Sequence, residues 1–165
     1  MTILYRGNRL SIEKKSYQSP NGKTRDRVVV KPADAAAILP LQDDFCYLIR
    51  QYRFAVDEYL YEAPAGTMDP GETPEETAHR ELREETGLVA GWLLPRGFVY
   101  STPGFTTEKI YLFEAGDLSL PGEASLDEDE VIEPTLFSRR EVLQMTVDGR
   151  IRDAKTICLI HRCLR

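Results

Sequence analysis

Hydrophobic residues alternate with polar ones, or form short apolar runs, in several segments of the chain, which is the pattern of β-strands. The turn-prone Gln42-Asp43-Asp44 separates two of these segments. The predicted strands are residues 27–30, 35–39, 45–49, 59–62, 97–101, 109–114 and 131–137. Helical patterns are interspersed among them, so the sequence predicts an α/β or α+β fold built as a layered sandwich.

The strongest helix pattern covers residues 73–86. Thr73 and Glu76 have the spacing of a capping box, and Pro74 suits the first helical position. Gly87 suits the residue just past the carboxyl end of the helix. These signals predict a helix with defined ends.

Two further helices are predicted near the carboxyl end of the chain. Ser138 and Glu141 repeat the capping-box spacing, and Gly149 marks the expected end of the helix that follows them. Asp153 is the expected cap of a last helix. Before them, residues 116–130 are rich in Gly, Pro, Ser and acidic residues and are predicted to form a loop.

Length and charge narrow the class of protein. The 165 residues fit a single domain, residues 1–165, and the three cysteines have no paired or metal-ligand spacing. The formal charge of −6 argues against general affinity for nucleic acid. No apolar leader and no apolar run of about 20 residues is present, so a cytoplasmic protein without a membrane span is expected.

Three carboxylates share one face of the predicted helix at 73–86. Glu81, Glu84 and Glu85 are spaced i, i+3 and i+4, whereas Ala78 and Leu82 point to a different face and can pack on a sheet. Such a face is usually a solvated acidic surface. It could instead bind a hard divalent cation, because magnesium prefers oxygen ligands.

A wider motif favours the cation site. It consists of Gly66, Glu72 and the run Arg80-Glu81-Leu82-Arg83-Glu84-Glu85-Thr86-Gly87-Leu88. These residues match every position of the Nudix box, which here spans residues 66–88. An accidental match is expected in about one chain in ten million. The chain therefore resembles the Nudix hydrolases.

The resemblance implies an α/β/α sandwich with a mixed central sheet, and a loop-helix-loop that binds Mg²⁺, with Mn²⁺ as an alternative. By position in the motif, Glu81, Glu84 and Glu85 are metal ligands, and the backbone carbonyl of Ala65 adds another oxygen. Glu84 is also a candidate catalytic residue.

Three other motif residues have supporting roles by the same resemblance. Glu72 and Arg80 orient the ligands and the loop through hydrogen bonds. Gly66 permits a tight backbone turn before the helix.

Other segments resemble the ADP-ribose pyrophosphatase group of this family. They are Arg50-Gln51-Tyr52-Arg53, Glu62-Ala63-Pro64-Ala65-Gly66 and Ser101-Thr102-Pro103-Gly104-Phe105-Thr106-Thr107-Glu108. The last of these argues against a hydrolase of nucleoside triphosphates or dinucleoside polyphosphates.

Substrate contacts are expected from the same segments: Arg53, Arg50, Tyr52, Phe105 and Glu108. Arg53 is the preferred phosphate contact, because the planar fork of a guanidinium can bind two oxygens at once. Tyr52 and Phe105 could stack on a base or ribose, although an aromatic side chain is more often part of a core.

The acidic run at residues 127–130 is usually read as a solvated loop. In the ADP-ribose group, however, an acidic loop supplies a glutamate that closes over the site. Glu128 and Glu130 are both candidates for a general base or an extra metal ligand, and the sequence does not choose between them.

The expected reaction is hydrolysis of ADP-ribose to AMP and ribose 5-phosphate. Residues 149–156 also resemble the GDP-mannose hydrolases, which makes GDP-mannose the main alternative substrate. A ligand sensor with the same fold and no catalysis is the alternative from another class.

The family resemblance also implies a homodimer. Residues 1–33 are expected to form N-terminal strands, and a strand or loop from this part of one subunit would help to form the site of the other. A β-hairpin packed within its own subunit is the alternative.

Overall fold

The computed structural model describes residues 1–120 and 132–164. The first three strands form a separate antiparallel sheet in the order β1–β2–β3. Their bounds are Thr2–Arg6 for β1, Leu10–Gln18 for β2 and Thr24–Pro32 for β3. These three strands precede the strands of the larger sheet in the sequence.

In the part of the chain that the structure describes, the larger sheet has seven strands, five of them in the order β10–β5–β4–β9–β8, with β6 paired to β5 and β7 to β4. Strands β4 and β9 run parallel, whereas β5, β6, β7, β8 and β10 pair antiparallel with their neighbours. The bounds are Ala35–Gln42 (β4), Phe45–Arg53 (β5), Glu58–Glu62 (β6), Ala65–Thr67 (β7), Val89–Tyr100 (β8), Lys109–Ser119 (β9) and Ile132–Ser138 (β10). The mixed central sheet is confirmed.

Within the described residues there are three helices, α1 (Pro74–Thr86), α2 (Arg139–Asp148) and α3 (Ala154–Cys163). Successive side chains of β4 enter two different hydrophobic layers, because neighbouring residues of a strand face opposite sides of the sheet. Ala36 and Ile38 pack with residues of α1, and Ala37 and Leu39 pack with residues of α2 and α3. The predicted α/β/α sandwich is therefore confirmed.

The helix ends follow the local signals in the sequence. Thr73 and Glu76 form a reciprocal capping box at the start of α1, and Gly87 ends the helix with a φ of 72°. Ser138 caps α2 and Asp153 caps α3 by accepting a hydrogen bond from a backbone amide three residues later. Because these caps satisfy amides that have no partner inside the helix, they define where each helix begins.

Strands β8 and β9 are longer than predicted. Strand β8 begins at Val89 rather than at residue 97. Its pairing with β9 shifts register between Pro95 and Phe98, and this irregularity keeps Pro95 and Gly97 within one continuous strand. Strand β9 continues to Ser119, so the loop predicted from residue 116 is wrong for residues 116–119. No helix in the described ranges is long and apolar enough to cross a membrane.

Candidate active site

A cleft of about 820 Å³ opens between the β5–β6 pair, the loop that precedes α1, and the start of α3. The turn between β1 and β2 and the loop that precedes β9 also contribute to its walls. Four cationic side chains in the described ranges line the cleft: Arg9, Arg53, Arg80 and Lys155. Because carboxylates line it as well, the cleft combines the two kinds of group that bind metal ions and phosphates.

Arg80 lies at the centre of the carboxylates on α1. Its Nη1 donates to Glu81 Oε1 at 2.5 Å and to Glu84 Oε2 at 3.0 Å. Both glutamates line the cleft. One guanidinium thus bridges two carboxylates and reduces their repulsion on the same helix face.

The same guanidinium binds Glu72 in the loop before α1. Arg80 Nε and Nη2 donate to the two oxygens of Glu72 at 2.9 and 3.0 Å. Thr77 Oγ1 and the amide of Asp69 also donate to Glu72, at 2.8 and 3.0 Å. The hydrogen bonds from Arg80, followed by the one from Asp69, lower the pKa of Glu72 to about 2. Glu72 therefore holds the loop against the helix as a carboxylate.

Glu85 is buried beside the segment that leads into the box. Its Oε2 accepts a hydrogen bond from the amide of Ala65 at 2.8 Å, and the residue is only 3% exposed. The next residue along, Gly66, lies so close to Glu81 that a Cβ at Gly66 would be 1.9 Å from Glu81 Oε1. A side chain at this position would displace the carboxylate, so the close approach requires glycine.

These groups fit a hard divalent cation. Within residues 1–120 and 132–164, no three acidic, thiol or imidazole side chains converge into a complete cation site on their own. Magnesium, however, is commonly held by one or two carboxylates together with waters and substrate phosphates. Glu81 and Glu84 face the cleft, and Glu85 lies directly behind Ala65. The oxygen donors are therefore of the right type and on one side of the cleft.

A second cluster of charges surrounds Glu62, which the sequence had not identified as a site residue. Arg53 donates to its two oxygens at 2.7 and 2.6 Å, and Lys155 forms an ion pair with it. Burial raises the pKa of Glu62, but Arg53 and Lys155 outweigh burial and the net pKa is lowered. Asp153 lies 3.1 Å from Lys155 Nζ. All four residues line the cleft.

The NUDIX domain family model matches residues 31–159 of the chain. The chain belongs to the Nudix family. The Nudix box runs from β7 through the loop before α1 and the helix itself, where the structure brings Glu72, Arg80, Glu81 and Glu84 together. The protein is a hydrolase that acts on a pyrophosphate bond.

Known proteins similar to this Nudix hydrolase support the assignment. ADP-ribose pyrophosphatase of Bacillus subtilis is 35% identical over 160 residues, which cover 96% of this chain and 86% of the relative. The methanol dehydrogenase activator of Bacillus methanolicus is 33% identical with the same two coverages. GDP-mannose pyrophosphatase of Yersinia enterocolitica is 37% identical over 69% of this chain and 63% of the relative. A crystal structure of an ADP compounds hydrolase superimposes with a TM-score of 0.84 at 26% identity, covering 98% and 90% of the two chains.

The cleft brings some of the predicted substrate contacts together and leaves others outside. Arg53 and Glu108 line it, but Arg50, Tyr52 and Phe105 are not among its lining residues. Arg50 lies three residues before Arg53 on β5, so the two side chains face opposite sides of the strand. Its guanidinium carbon lies 4.1 Å from the centroid of the Tyr59 ring. A substrate role for these three residues stays a prediction.

Other predicted residues lie elsewhere. Glu128 and Glu130 fall outside the described residues, so their catalytic roles also stay predictions. Among the predicted metal ligands, Ala65 lines the cleft, whereas Glu85 is buried and contacts the Ala65 amide. Glu62 and Lys155 were missed, although both lie in segments that carry the resemblance to nucleotide-sugar hydrolases.

Proposed function

We propose that this Nudix hydrolase cleaves the diphosphate of a nucleoside diphosphate sugar, with ADP-ribose as the first choice of substrate. The products would be AMP and ribose 5-phosphate. The observation that carries the proposal is one cleft with Glu81 and Glu84 on one wall and Arg53 and Lys155 on another. Similarity over nearly the whole chain to an ADP-ribose pyrophosphatase supports this substrate.

In this proposal Glu81, Glu84, Glu85 and the carbonyl of Ala65 hold Mg²⁺, with Mn²⁺ as an alternative. When bound, the metal neutralises phosphate charge and makes the attacking water easier to deprotonate. Arg80 and Glu72 keep the carboxylates aligned, because Arg80 binds Glu81 and Glu84 directly.

The cations on the other wall bind the diphosphate. Arg53 and Lys155 both contact Glu62, which fixes their side chains and leaves their remaining N–H groups for phosphate oxygens. Glu128 or Glu130 is the proposed general base that accepts the proton of the attacking water, with Glu84 as a third candidate. This assignment rests on the sequence resemblance.

GDP-mannose is the second candidate substrate. Asp153 and Lys155 belong to the segment that resembles GDP-mannose hydrolases, and both line the cleft. The similarity to a GDP-mannose pyrophosphatase supports the same choice. The mechanism would be unchanged, because the diphosphate is common to both substrates.

A substrate panel tests the proposal. The purified protein is incubated with ADP-ribose, GDP-mannose, ADP-glucose and a nucleoside triphosphate, each with Mg²⁺, with Mn²⁺ or with excess chelator. We expect ADP-ribose to be cleaved fastest, to AMP and ribose 5-phosphate identified by mass, and no cleavage in chelator. Faster cleavage of GDP-mannose would change the substrate. Binding of ADP-ribose without cleavage of any compound would indicate a sensor.

We also propose a homodimer. Every residue of β1 is exposed, and the small sheet presents apolar side chains such as Ile3, Leu4, Tyr5 and Val28 to solvent. Exposed apolar patches of this kind are typical of protein interfaces. Light scattering after size exclusion should give twice the chain mass of 18.8 kDa. A mass of one chain at micromolar concentration would contradict this proposal.

The turn between β1 and β2 lines the cleft of its own chain through Asn8 and Arg9. This contact fits the hairpin alternative as well as a dimer, since a partner's segment could add to the same wall. The proposed location is the cytoplasm, because Cys46, Cys158 and Cys163 are all free thiols. Cell fractionation checks that location.

A further inference from the structure

The segment at residues 62–66 connects the two charged walls of the cleft. Glu62 pairs with the cations Arg53 and Lys155. Ala65 and Gly66 lie against the carboxylates of α1. Between them, the carbonyl of Pro64 accepts a hydrogen bond from the amide of Ile38 at 2.9 Å. The position of this short segment therefore sets the distance between the phosphate-binding cations and the metal ligands.

Thr156 forms a hydrogen bond with Ala63, the remaining residue of the segment. Its Oγ1 accepts a hydrogen bond from the amide of Ala63 at 2.7 Å and donates to Asp153 Oδ2 at 2.6 Å. Both Thr156 and Ala63 are fully buried. The hydroxyl is thus the hydrogen-bond partner of a buried amide that belongs to a segment 93 residues away in the sequence.

The first turn of α3 contacts the segment at two consecutive residues. Lys155 pairs with Glu62, and Thr156 accepts from Ala63. Asp153 Oδ2 joins these contacts, because it accepts from the amide and the hydroxyl of Thr156 and lies 3.1 Å from Lys155 Nζ. The start of α3 therefore supports the segment through adjacent side chains that also contact each other.

We propose that Thr156 is a positioning residue for hydrolysis, which fixes the 62–66 segment so that the two walls of the cleft keep their spacing. The proposal rests on the proposed function of the same cleft. Thr156 is buried behind the segment and acts through Ala63 rather than through the substrate. Its effect on the reaction is therefore exerted through Ala65 and Glu62.

The physical reason is the cost of an unpaired buried amide. Without the hydroxyl, the amide of Ala63 has no acceptor at that position and the segment must move to find one. A displacement of about 1 Å away from the reacting groups can slow an enzyme by about 100-fold. Loss of an outer hydrogen bond around a metal site commonly weakens metal binding by about 10-fold or more.

The test compares Thr156→Val with Thr156→Ser. Valine keeps the shape of threonine and removes the hydroxyl, whereas serine keeps the hydroxyl and loses the methyl group. Ile160→Val is the matched control, since Ile160 is fully buried in α3 and belongs to the hydrophobic core. Each variant is measured for kcat and KM with ADP-ribose, for Mg²⁺ binding by calorimetry without nucleotide, and for hydrogen exchange of a peptide covering residues 60–66.

For Thr156→Val we expect kcat to fall about 10- to 100-fold and the Kd for Mg²⁺ to rise about 10-fold, with faster exchange in the 60–66 peptide. Thr156→Ser should stay within about threefold of wild type in all three measurements, since the hydrogen bond is kept. Ile160→Val should lower the unfolding temperature and leave kcat and Mg²⁺ binding unchanged. Rescue by serine together with loss in valine supports the proposal.

Two results would overturn it. One is a folded Thr156→Val protein with wild-type kcat and Mg²⁺ affinity. The other is a Thr156→Ser protein as impaired as Thr156→Val, because packing of the methyl group would then explain the loss. If valine prevents folding, Thr156→Ala takes its place in the comparison. If the wild type cleaves no compound of the panel, the proposed function fails, while Mg²⁺ binding and hydrogen exchange still decide the role of Thr156.

Discussion

Glu85→Gln is expected to lower kcat by about 10²–10³-fold or more while the protein remains folded. Glu85 is buried at the end of α1, and one of its oxygens accepts from the amide of Ala65. A glutamine oxygen can accept the same hydrogen bond, so the local structure should survive. The substitution removes the negative charge that a divalent cation requires. Turnover of ADP-ribose across a range of Mg²⁺ concentrations, with thermal unfolding in parallel, measures the effect.

Glu75→Gln is the matched control for this prediction. Glu75 lies in the first turn of the same helix and is exposed, so it tests the loss of one negative charge from α1 away from the cleft. We expect wild-type turnover for this variant. Wild-type turnover of Glu85→Gln at saturating Mg²⁺ would rule out Glu85 as a metal ligand.

Glu62→Gln is expected to lower the free energy of unfolding by about 3 kcal/mol. The side chain of Glu62 is only 2% exposed and contacts both Arg53 and Lys155, whose side chains are 38% and 11% exposed. Removal of the charge leaves two cations close together without their common counter-ion. Urea unfolding at pH 7 measures the loss. ADP-ribose turnover should also fall, because Arg53 and Lys155 lose the group that orients them.

The control for this prediction is Glu58→Gln. Glu58 pairs with Arg152 across the same region, but both side chains are about half exposed, at 46% and 55%. An ion pair in solvent contributes only about 0–1 kcal/mol. We therefore expect Glu58→Gln to change stability much less than Glu62→Gln. Equal losses in the two variants would contradict the importance of burial at Glu62.

The pH dependence of the free energy of unfolding distinguishes the contribution of the Glu62 charge from that of its packing. Because the pKa of Glu62 is lowered in the folded protein, its stabilisation is fully present above the unfolded value of 4.5 and is lost as the pH falls from there through the lowered pKa of the folded state. The difference in stability between wild type and Glu62→Gln should therefore shrink in acid. A difference that is the same at pH 7 and well below pH 4.5 would show that the contribution does not depend on the charge.

Local signals predicted the parts of the fold whose ends are defined by nearby residues. Thr73, Glu76 and Gly87 define the ends of α1 through contacts within a few residues, so they could be read directly. The N-terminal sheet was expected only in outline. Strand β1 is exposed along its whole length, and therefore lacks the alternation of buried and exposed residues that identifies a strand.

The site residues likewise fall into those that a local motif predicts and those that only the tertiary structure brings together. Glu72, Arg80, Glu81 and Glu84 belong to one motif, and the structure places them in direct contact. Glu62 and Lys155 are 93 residues apart, and the packing of α3 against β4 and β9 brings them together. No spacing rule covers such a pair. A carboxylate just before the box, followed far along the chain by a charged residue in the first turn of a predicted helix, is the weak signal that the sequence offers.

The central parallel pair of strands has a consequence for how the protein forms. Asp34, just before β4, accepts a hydrogen bond from the amide of Lys109, 75 residues later, and Ala63 is joined to Thr156 over a still longer separation in the sequence. Contacts between such distant residues slow folding, because a long loop must close before they contribute. During synthesis the Nudix box leaves the ribosome well before α3 does. Glu62 can therefore pair with Lys155 only after α3 has been synthesised, so the cleft is completed late in folding.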